Sequence, residues 1–315
     1  MRRRQTSGIN QLVGVIKPTG CSSHDVVNRM RRICSERRVG HAGTLDPLAS
    51  GVMVVGVGQA TRLLGLVTCD EKRYLARIAF GRETDTDDEE GQTTERADAP
   101  DCVDDLRFAC ASMGVLLSMT SQVPPAYSAI SVGGRRAYAV ARSGGQVELD
   151  PRPIRVTDAQ VVSVGRTPQG EPFWDVSLTV SKGTYVRALA RDLGRALGSA
   201  AHLNQLRRTA SGSVGLDACH ELDELQAIID RDGALPALDP LAVLGIPGVR
   251  ITESQADLVA RGMPVTVPAG AETGESDNGV ALVYHGQLRA LARVDGGLLR
   301  PKAVFADGID GVSEL

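Results

Sequence analysis

The chain has 315 residues and a mass of 33.2 kDa, about twice the size of a usual single domain, so we expect two domains. Its net charge of −3 argues at first against a nucleic-acid ligand, because domains that bind nucleic acids are normally basic. The longest uncharged apolar run, residues 51–58, is far shorter than the roughly 20 residues of a membrane span. Polar residues follow the N-terminal arginines, so we expect neither a membrane span nor a secretory signal.

The spacing of cysteine, histidine and glycine limits the chemistry further. The six cysteines form no C-x-x-C pair and the five histidines are scattered, so we expect reduced thiols in the cytoplasm and no metal site. Gly56-Val57-Gly58 follows an apolar run, but the third glycine of a dinucleotide-binding fingerprint is absent. We therefore expect no bound NAD or NTP.

The net charge conceals blocks of opposite sign. Residues 1–66 carry +7 and residues 120–210 carry +6, whereas residues 67–110 carry −7 and residues 211–315 carry −9. Binding of a polyanion depends on the local field, so the two basic blocks are compatible with a nucleic-acid ligand. The alternative, in which the blocks are only solvated faces, stays open at this point.

In the first part of the chain, strand and helix signals alternate. Residues 14–16 predict a short strand, and Ser22, three residues before Asp25, predicts a helix that begins with a capping box. Residues 51–58 indicate a buried strand. Apolar residues alternate over residues 74–80 and indicate a strand with one buried face.

The middle of the chain contains two segments that we expect at the surface. Residues 83–105 are acidic and polar and predict a surface excursion, and residues 106–119 predict a helix. Residues 121–153, rich in Gly, Pro and Arg, indicate a long exposed insertion. Residues 174–180 alternate as a strand.

The last part predicts a helix followed by a small domain. From Val186 the apolar residues recur at helical spacing, and Arg187, Arg191 and Arg195 follow one another along the opposite, polar stripe. Residues 245–315 contain short β runs and indicate a small β-rich domain.

One carboxylate stands in a segment of small residues that is typical of a ligand loop. Asp46 lies within GHAGTLDPLASG, residues 40–51, directly before a proline and the buried strand. Glycines there allow a ligand to approach the backbone closely. The alternative, in which Asp46 only caps the loop, stays open. No second carboxylate is close in sequence, so the two-carboxylate scheme of glycosidases is not indicated.

Further motifs lie in a fixed order between residues 13 and 210. They are Lys17-Pro18-Thr19-Gly20, Lys72-Arg73-Tyr74, Pro125-Ala126-Tyr127-Ser128-Ala129, Ser181-Lys182-Gly183-Thr184-Tyr185-Val186-Arg187 and Leu206-Arg207-Arg208. Together with the Asp46 segment, this set closely resembles the TruB family of RNA pseudouridine synthases.

The resemblance implies an α+β pseudouridine synthase fold, in which helices and loops flank a mixed, mostly antiparallel central sheet. It implies a catalytic domain over residues 1–244, with residues 121–153 as an RNA-binding thumb, and a small β-rich, PUA-like domain over residues 245–315. The implied reaction is isomerisation of uridine to pseudouridine at position 55 in the T loop of tRNA. The resemblance also implies that no cofactor is needed. We expect a monomer that binds the T arm of tRNA, needs no protein partner and contacts no membrane.

The resemblance also implies roles for single residues. Asp46 is the catalytic carboxylate, Arg187 pairs with it, and Tyr74 stacks on the flipped base and helps to move the C5 proton. By local pattern alone, Tyr74 fits a core aromatic residue and Arg187 a solvated one. His41 fills the gap left by the extruded nucleotide and Leu206 lines the uracil pocket.

The remaining substrate-binding residues that the resemblance implies are Tyr185, Lys17, Arg135, Arg136 and Arg142. We expect Lys17 to brace the active-site loop without a chemical role.

Two features depart from the family pattern. Ser131 stands where many relatives have a lysine, and the charge of −9 over residues 211–315 argues against strong phosphate contact there. Two alternative functions stay open: a synthase that depends on guide RNA, and a catalytically silent tRNA-binding protein or tRNA-folding chaperone. The Asp46, Tyr74 and Arg187 matches argue against the silent form.

Overall fold

The computed structural model describes residues 7–67, 71–128, 131–132, 135–136, 149–268, 270, 279–313 and 315, with the backbone alone at 131–132 and 135–136. Sixteen of the 33 residues of the predicted thumb, Arg142 among them, therefore lie outside the described residues. Among the helices of the described part, none is long and apolar enough to cross a membrane.

The secondary structure alternates between strands and short helices. The described α-helices are α1 Ser23–Ile33, α2 Leu64–Val67, α3 Leu106–Ser118, α4 Val186–Ala196, α5 Leu222–Asp232, α6 Pro240–Leu244 and α7 Glu253–Ala260. Short 3-10 helices cover Gly58–Leu63 and Leu216–Ala218.

The strands fall into an N-terminal and a C-terminal set. The first set is β1 Gln11–Lys17, β2 Val39–Ala42, β3 Ser50–Val57, β4 Glu71–Phe80, β5 Arg82–Thr84, β6 Thr93–Arg96, β7 Ser121–Gln122, β8 Ser131–Val132, β9 Arg135–Arg136 and β10 Arg152–Pro153. The second set is β11 Val156–Arg166, β12 Pro172–Ser181, β13 Ala201–Ser211, β14 Val214–Gly215, β15 His220–Glu221, β16 Gly248–Arg250, β17 Val265–Thr266, β18 Val280–Tyr284, β19 Gln287–Asp295 and β20 Leu298–Ile309.

The chain divides into two compact units. The first unit comprises Met1–Pro47, Gly51–Cys69 and Ala210–Leu315, and the second comprises Leu48–Ser50 and Asp70–Thr209. The β-rich C-terminal segment thus lies in the first unit, and the predicted boundary between residues 244 and 245 stays a prediction.

In the first unit, the N-terminal strands and the C-terminal sheet share a core. β1 pairs antiparallel with β3, β2 also pairs antiparallel with β3, and β15 pairs parallel with β1. A five-stranded sheet follows in the order β16-β18-β19-β20-β17. Leu12 and Val54 belong to the same buried cluster as Leu288 and Phe305, so the C-terminal sheet buries part of its apolar surface on the N-terminal strands.

The start of α1 follows the sequence signal. Ser22 donates its backbone N–H to the Asp25 carboxylate at 2.9 Å, and the Asp25 N–H donates to Ser22 Oγ at 3.2 Å. This reciprocal pair satisfies two N–H groups that a helix start leaves without intrahelical partners. The predicted capping box is therefore confirmed.

In the second unit, β11, β12, β4 and β13 follow one another in a sheet. The predicted alternation is confirmed, because Ala76, Ile78 and Phe80 on β4 and Trp174 on β12 are fully buried. The Trp174 indole donates to the Val103 carbonyl at 2.7 Å, so the buried ring leaves no polar atom unsatisfied.

The prediction of a surface excursion at residues 83–105 is wrong in its first part. Three carboxylates there are buried and pair with the arginines of α4: Glu83 with Arg195, Asp87 with Arg191 and Asp88 with Arg187. The predicted polar stripe of α4 is therefore largely covered, because buried charges require a partner of opposite sign. The acidic block and the second basic block partly neutralise each other.

Candidate active site

In the first unit, the residues on both sides of Asp46 are anchored. Ser23 Oγ donates to the Leu45 carbonyl and accepts the Leu45 N–H, both at 2.9 Å. The Gly20 N–H donates to the Pro47 carbonyl at 2.9 Å. Asp46 itself is half-buried. The carboxylate thus stands on a loop whose backbone is fixed at both of its neighbours.

A fully buried lysine contributes to the same loop. Lys17 Nζ donates to the Pro18 carbonyl at 2.8 Å and to the Pro47 carbonyl at 3.4 Å. These contacts direct the ammonium group to the backbone beside Asp46. His41 lies on β2, opposite Val55 of β3, and is half-buried.

In the second unit, the start of α4 is held by a buried glutamine. The Tyr185 N–H donates to Gln122 Oε1 at 2.6 Å, and Gln122 Nε2 donates to the Tyr185 carbonyl at 3.2 Å. Tyr185 is the N-cap of α4. The amide of Gln122 therefore fixes the backbone two residues before Arg187.

Arg187 lies in the first turn of α4 and is only 4% exposed. Its Nη1 donates to the Thr86 carbonyl at 2.8 Å and lies 3.5 Å from Asp88 Oδ2. Its Nη2 donates to the Tyr127 carbonyl at 3.0 Å. The guanidinium is thus held by groups from two chain segments, and the surface alternative for Arg187 is excluded.

Two further predicted site residues lie on the sheet of the second unit. Tyr74 is on β4, directly opposite Leu178 of β12, and is buried. Leu206 is on β13 and is buried as well. Burial of both side chains fits the core alternative and also the wall of an apolar pocket, and their substrate roles stay predictions.

The predicted thumb, residues 121–153, is described at residues 121–128, 131–132, 135–136 and 149–153. Ser131 pairs with Arg136 and Val132 with Arg135, so β8 and β9 form a short antiparallel ladder. The side chains of Arg135 and Arg136 are not described, and their RNA contacts stay predictions.

The sequence interpretation missed the groups that hold Arg187 in place, namely Thr86, Asp88 and the Tyr127 carbonyl. The available signal was charge. An acidic block, residues 67–110, precedes the basic block, residues 120–210, that contains α4. Arginines at four-residue spacing on one helix face are expected to meet carboxylates when that face is buried. The order of the motifs in the chain contains no information on which carboxylate meets which arginine.

Among the described residues, one cluster has the composition of a metal site. Glu89, Glu171 and His202 place their ligand atoms within 4.8 Å of one another. However, Arg82 donates to Glu171 at 3.0 Å and to both Glu89 oxygens at 2.8 Å. Burial acts to raise the pKa of Glu89, but hydrogen bonds from His202 and Asn204 and the charge of Arg82 keep this pKa below its ordinary value. A guanidinium thus already provides the positive charge, and we assign the cluster to the structural ion-pair network.

Each unit therefore offers groups suited to a defined chemistry. A half-buried carboxylate on a fixed loop can act as a nucleophile or as a general base. A buried guanidinium with fixed acceptors is a preorganised positive charge. A tyrosine offers an aromatic face and a hydroxyl group.

Comparison with known proteins gives concordant matches. Residues 31–186 match the sequence model described as TruB family pseudouridylate synthase (N terminal domain), and residues 187–241 match the tRNA pseudouridylate synthase B C-terminal domain. The chain is 45% identical over 264 residues to tRNA pseudouridine synthase B of Mycobacteroides abscessus, covering 83% of this chain and 86% of the relative. It is 42% identical over 294 residues to the protein of the same name from Mycobacterium tuberculosis, covering 93% and 95%.

Solved structures agree with the predicted fold class. The chain is similar to a Cbf5-Nop10-Gar1 complex, with a TM-score of 0.67 and 23% identity over 97% of this chain and 88% of that chain. It is also similar to an H/ACA RNP bound to a substrate RNA containing 2'-deoxyuridine, with a TM-score of 0.66 and 23% identity over 95% and 85%. At this level of identity the likeness shows the fold, and the predicted α+β pseudouridine synthase fold is confirmed.

Proposed function

The chain belongs to the TruB family of pseudouridylate synthases, and from this we propose that it isomerises uridine to pseudouridine in tRNA, at position 55 of the T loop. The N-glycosidic bond breaks, the detached uracil rotates, and C5 forms the new bond to C1′. C5 loses a proton and N1 gains one, so the reaction balances without an oxidant, a reductant or a cofactor.

We assign the catalytic carboxylate to Asp46. The observation that carries this assignment is the anchoring of its neighbours, Leu45 by Ser23 and Pro47 by Gly20 and Lys17. A carboxylate whose backbone is fixed before the substrate arrives loses little freedom in the reaction, and such preorganisation is a large part of catalysis. Attack at C1′, addition to the base and proton removal from C2′ all need an ionised carboxylate at this place.

Tyr74 and Arg187 complete the proposed catalytic set. The buried guanidinium of Arg187, held by Thr86, Asp88 and Tyr127, supports a role as a fixed positive charge in the reaction. Tyr74 is proposed to stack on the flipped base, and His41 to occupy the gap that the base leaves. Reaching a base inside a folded T loop requires such flipping, which costs a few kcal/mol.

The test is substitution of Asp46 by asparagine in the full chain. We expect Asp46→Asn to abolish pseudouridine formation in a tRNA transcript, measured by mass mapping, while the dissociation constant for tRNA changes by less than about threefold, because one polar contact is retained. Asp101→Asn, at an exposed aspartate, is the matched control and should retain the wild-type rate. Turnover by Asp46→Asn near the wild-type rate contradicts the assignment.

We further propose that the chain acts on bare tRNA as a monomer. Modification of a tRNA transcript by the purified protein alone tests whether a guide RNA or a second protein is needed, and the sedimentation of the purified chain tests the monomeric state. A strict requirement for an added guide RNA or a second protein would favour the guide-dependent alternative, and mapping the modified position would identify the target uridine.

A further inference from the structure

Helix α4 presents arginines on successive turns, and the second of them contacts the same two chain segments as the first. Arg187 is held by the loop of residues 86–88 and by the segment of residues 123–127. The latter segment lies within the first part of the predicted thumb, residues 121–153. The position of the Arg187 guanidinium therefore depends on the place of both segments relative to α4.

Arg191 connects these two segments independently of Arg187. Its Nη1 donates to Asp87 Oδ2 at 2.8 Å and its Nη2 to the Val123 carbonyl at 2.9 Å. Its Nε donates to Asp192 at 2.8 Å, and Arg191 is only 8% exposed. Each of the three nitrogens of the Arg191 guanidinium thus donates a hydrogen bond to another group of the protein. The side chain is turned away from solvent.

Asp87 is placed so that its displacement would move both loop partners of Arg187. It lies between Thr86 and Asp88, it is buried, and its φ angle is +60°. This left-handed conformation is uncommon for a residue other than glycine and persists where surrounding contacts determine it. The pair with Arg191 is such a contact, because it fixes the carboxylate at the centre of the loop.

We propose that Arg191 is a positioning residue for the isomerisation. Paired with Asp87 and bound to Val123, it holds the 86–88 loop and the 123–127 segment, and these keep the Arg187 guanidinium in the position that the reaction requires. The inference rests on the proposed function and extends it to a residue outside the catalytic set. Arg191 acts through Arg187 and contacts no reacting atom.

The titration of Asp87 supplies a test of positioning. If Arg191 acts by positioning, the rate constant should depend on the protonation of Asp87, whereas a purely structural role would not produce this pH dependence. Burial outweighs the nearby guanidinium groups of Arg191 and Arg187 and raises the pKa of Asp87 to about 6. The other charged groups that face Asp87 are Asp192, which raises this pKa, and Arg195, which lowers it. The carboxylate is therefore ionised at neutral pH and takes up a proton in mildly acidic solution, where its bond to Arg191 loses the attraction of opposite charges.

The experiment compares Arg191→Gln with Arg195→Gln under single-turnover conditions on a tRNA transcript. Arg195 is on the next turn of the same helix and pairs with Glu83 at 2.6 Å. Its described hydrogen bonds go to Glu83, and it acts on the 86–88 loop through its charge, which lowers the pKa of Asp87. We expect Arg191→Gln to lower the rate constant by about ten- to a hundredfold, because small misplacements of catalytic groups have effects of this size. The rate constant of the control should stay within about threefold of wild type, because the hydrogen bonds of both segments to Arg187 are retained. Its melting temperature should fall, because the buried Glu83 carboxylate loses its partner.

The pH profile and a double variant separate positioning from folding. We expect the wild-type rate constant to fall as pH decreases through about 6, and Asp87→Asn to be slow already at pH 7 and unchanged over this interval. Asp87→Asn/Arg191→Gln removes both charges and so avoids an unpaired buried ion; it should melt no lower than the control and still be slow.

Equal rate constants for Arg191→Gln and Arg195→Gln, a loss confined to tRNA affinity, or an inflection near pH 6 that persists in Asp87→Asn would each overturn the positioning role. Failure of the wild-type chain to form pseudouridine would instead contradict the proposed function. The two failures are therefore distinguishable.

Discussion

The Asp46 loop and the surroundings of Arg187 are stabilised by different kinds of interaction. Around Asp46, backbone groups of Leu45 and Pro47 are held by a serine hydroxyl, a glycine N–H and one lysine. Around Arg187, buried guanidinium groups meet buried carboxylates. Mostly neutral hydrogen bonds depend little on pH, and removing one member leaves a buried group unsatisfied at a cost of about 1–3 kcal/mol. Removing one partner of a buried ion pair costs about 3–5 kcal/mol. The two regions should therefore respond differently to substitution and to pH.

The largest expected effect is that of Arg187→Gln. Removal of the guanidinium leaves the buried Asp88 carboxylate without this partner, and we expect the free energy of unfolding to fall by about 3–5 kcal/mol. Urea denaturation measures this change. Arg166→Gln, which breaks an exposed pair with Asp104, is the control and should cost about 0–1 kcal/mol. Similar costs for the two variants would contradict the contrast between the regions.

The second effect is a dependence of stability on pH that arises from Asp87. Burial raises its pKa from 3.8 to about 6 in the folded chain, so the folded state holds this proton more tightly than the unfolded state. The resulting stability is fully present below about pH 4 and is lost as pH rises through about 6, by up to roughly 3 kcal/mol. Urea denaturation of the wild type and of Asp87→Asn between pH 4 and 7 isolates this contribution from that of other carboxylates.

The direction in which stability changes with pH tests whether burial dominates the titration of Asp87. The stability of the wild type relative to Asp87→Asn should decrease as pH rises. A constant difference would show that the pair with Arg191 cancels the effect of burial on the titration of Asp87, and a difference that increases with pH would show that the pair dominates.

The third effect is a contrast between neighbouring serines at the start of α1. Ser23→Ala leaves the buried backbone groups of Leu45 without their partner and should cost about 1–3 kcal/mol. Ser22→Ala removes the helix cap and should cost about 1 kcal/mol. We expect only Ser23→Ala to slow the isomerisation as well, because only Ser23 contacts the loop of Asp46. Single-turnover rates and melting temperatures of both variants measure the contrast, and equal rates would show that the anchor of Leu45 is not needed for catalysis.

The sequence predicted the features that depend on residues close together in the chain and missed those that depend on residues far apart. The α1 capping box joins residues three apart, and the alternation in β4 and β12 repeats every second residue, so local patterns were sufficient for both. The pairs of Asp87 with Arg191 and of Asp88 with Arg187 join residues about a hundred positions apart. No local pattern specifies such a partner, and the buried acidic segment was therefore predicted at the surface.

The candidate site shows the same division. Asp46 was identified because its glycine-rich segment and the accompanying motifs resemble a known family. Two of its anchors, Lys17 and Gly20, belong to one of these motifs, whereas Ser23, which holds Leu45, belongs to none of them. Arg191 was noted only as part of a polar stripe. A stripe of arginines on a helix is normally solvated, and only the tertiary structure shows that carboxylates cover it.

The smallest expected effect concerns salt. The exposed arginines of the basic blocks should still make the affinity for tRNA decrease with salt, because phosphate binding releases counterions. Arg191 is committed to Asp87 and Val123, so Arg191→Gln should leave the slope of log Kd against log salt unchanged, whereas loss of a phosphate contact would lower the slope by about one. A lowered slope would show that Arg191 reaches the RNA and would remove the distinction between arginines that bind tRNA and arginines that hold the fold. An unchanged slope would mean that Arg191, although it counts toward the charge of the basic block of residues 120–210, contributes no charge to the surface that binds RNA.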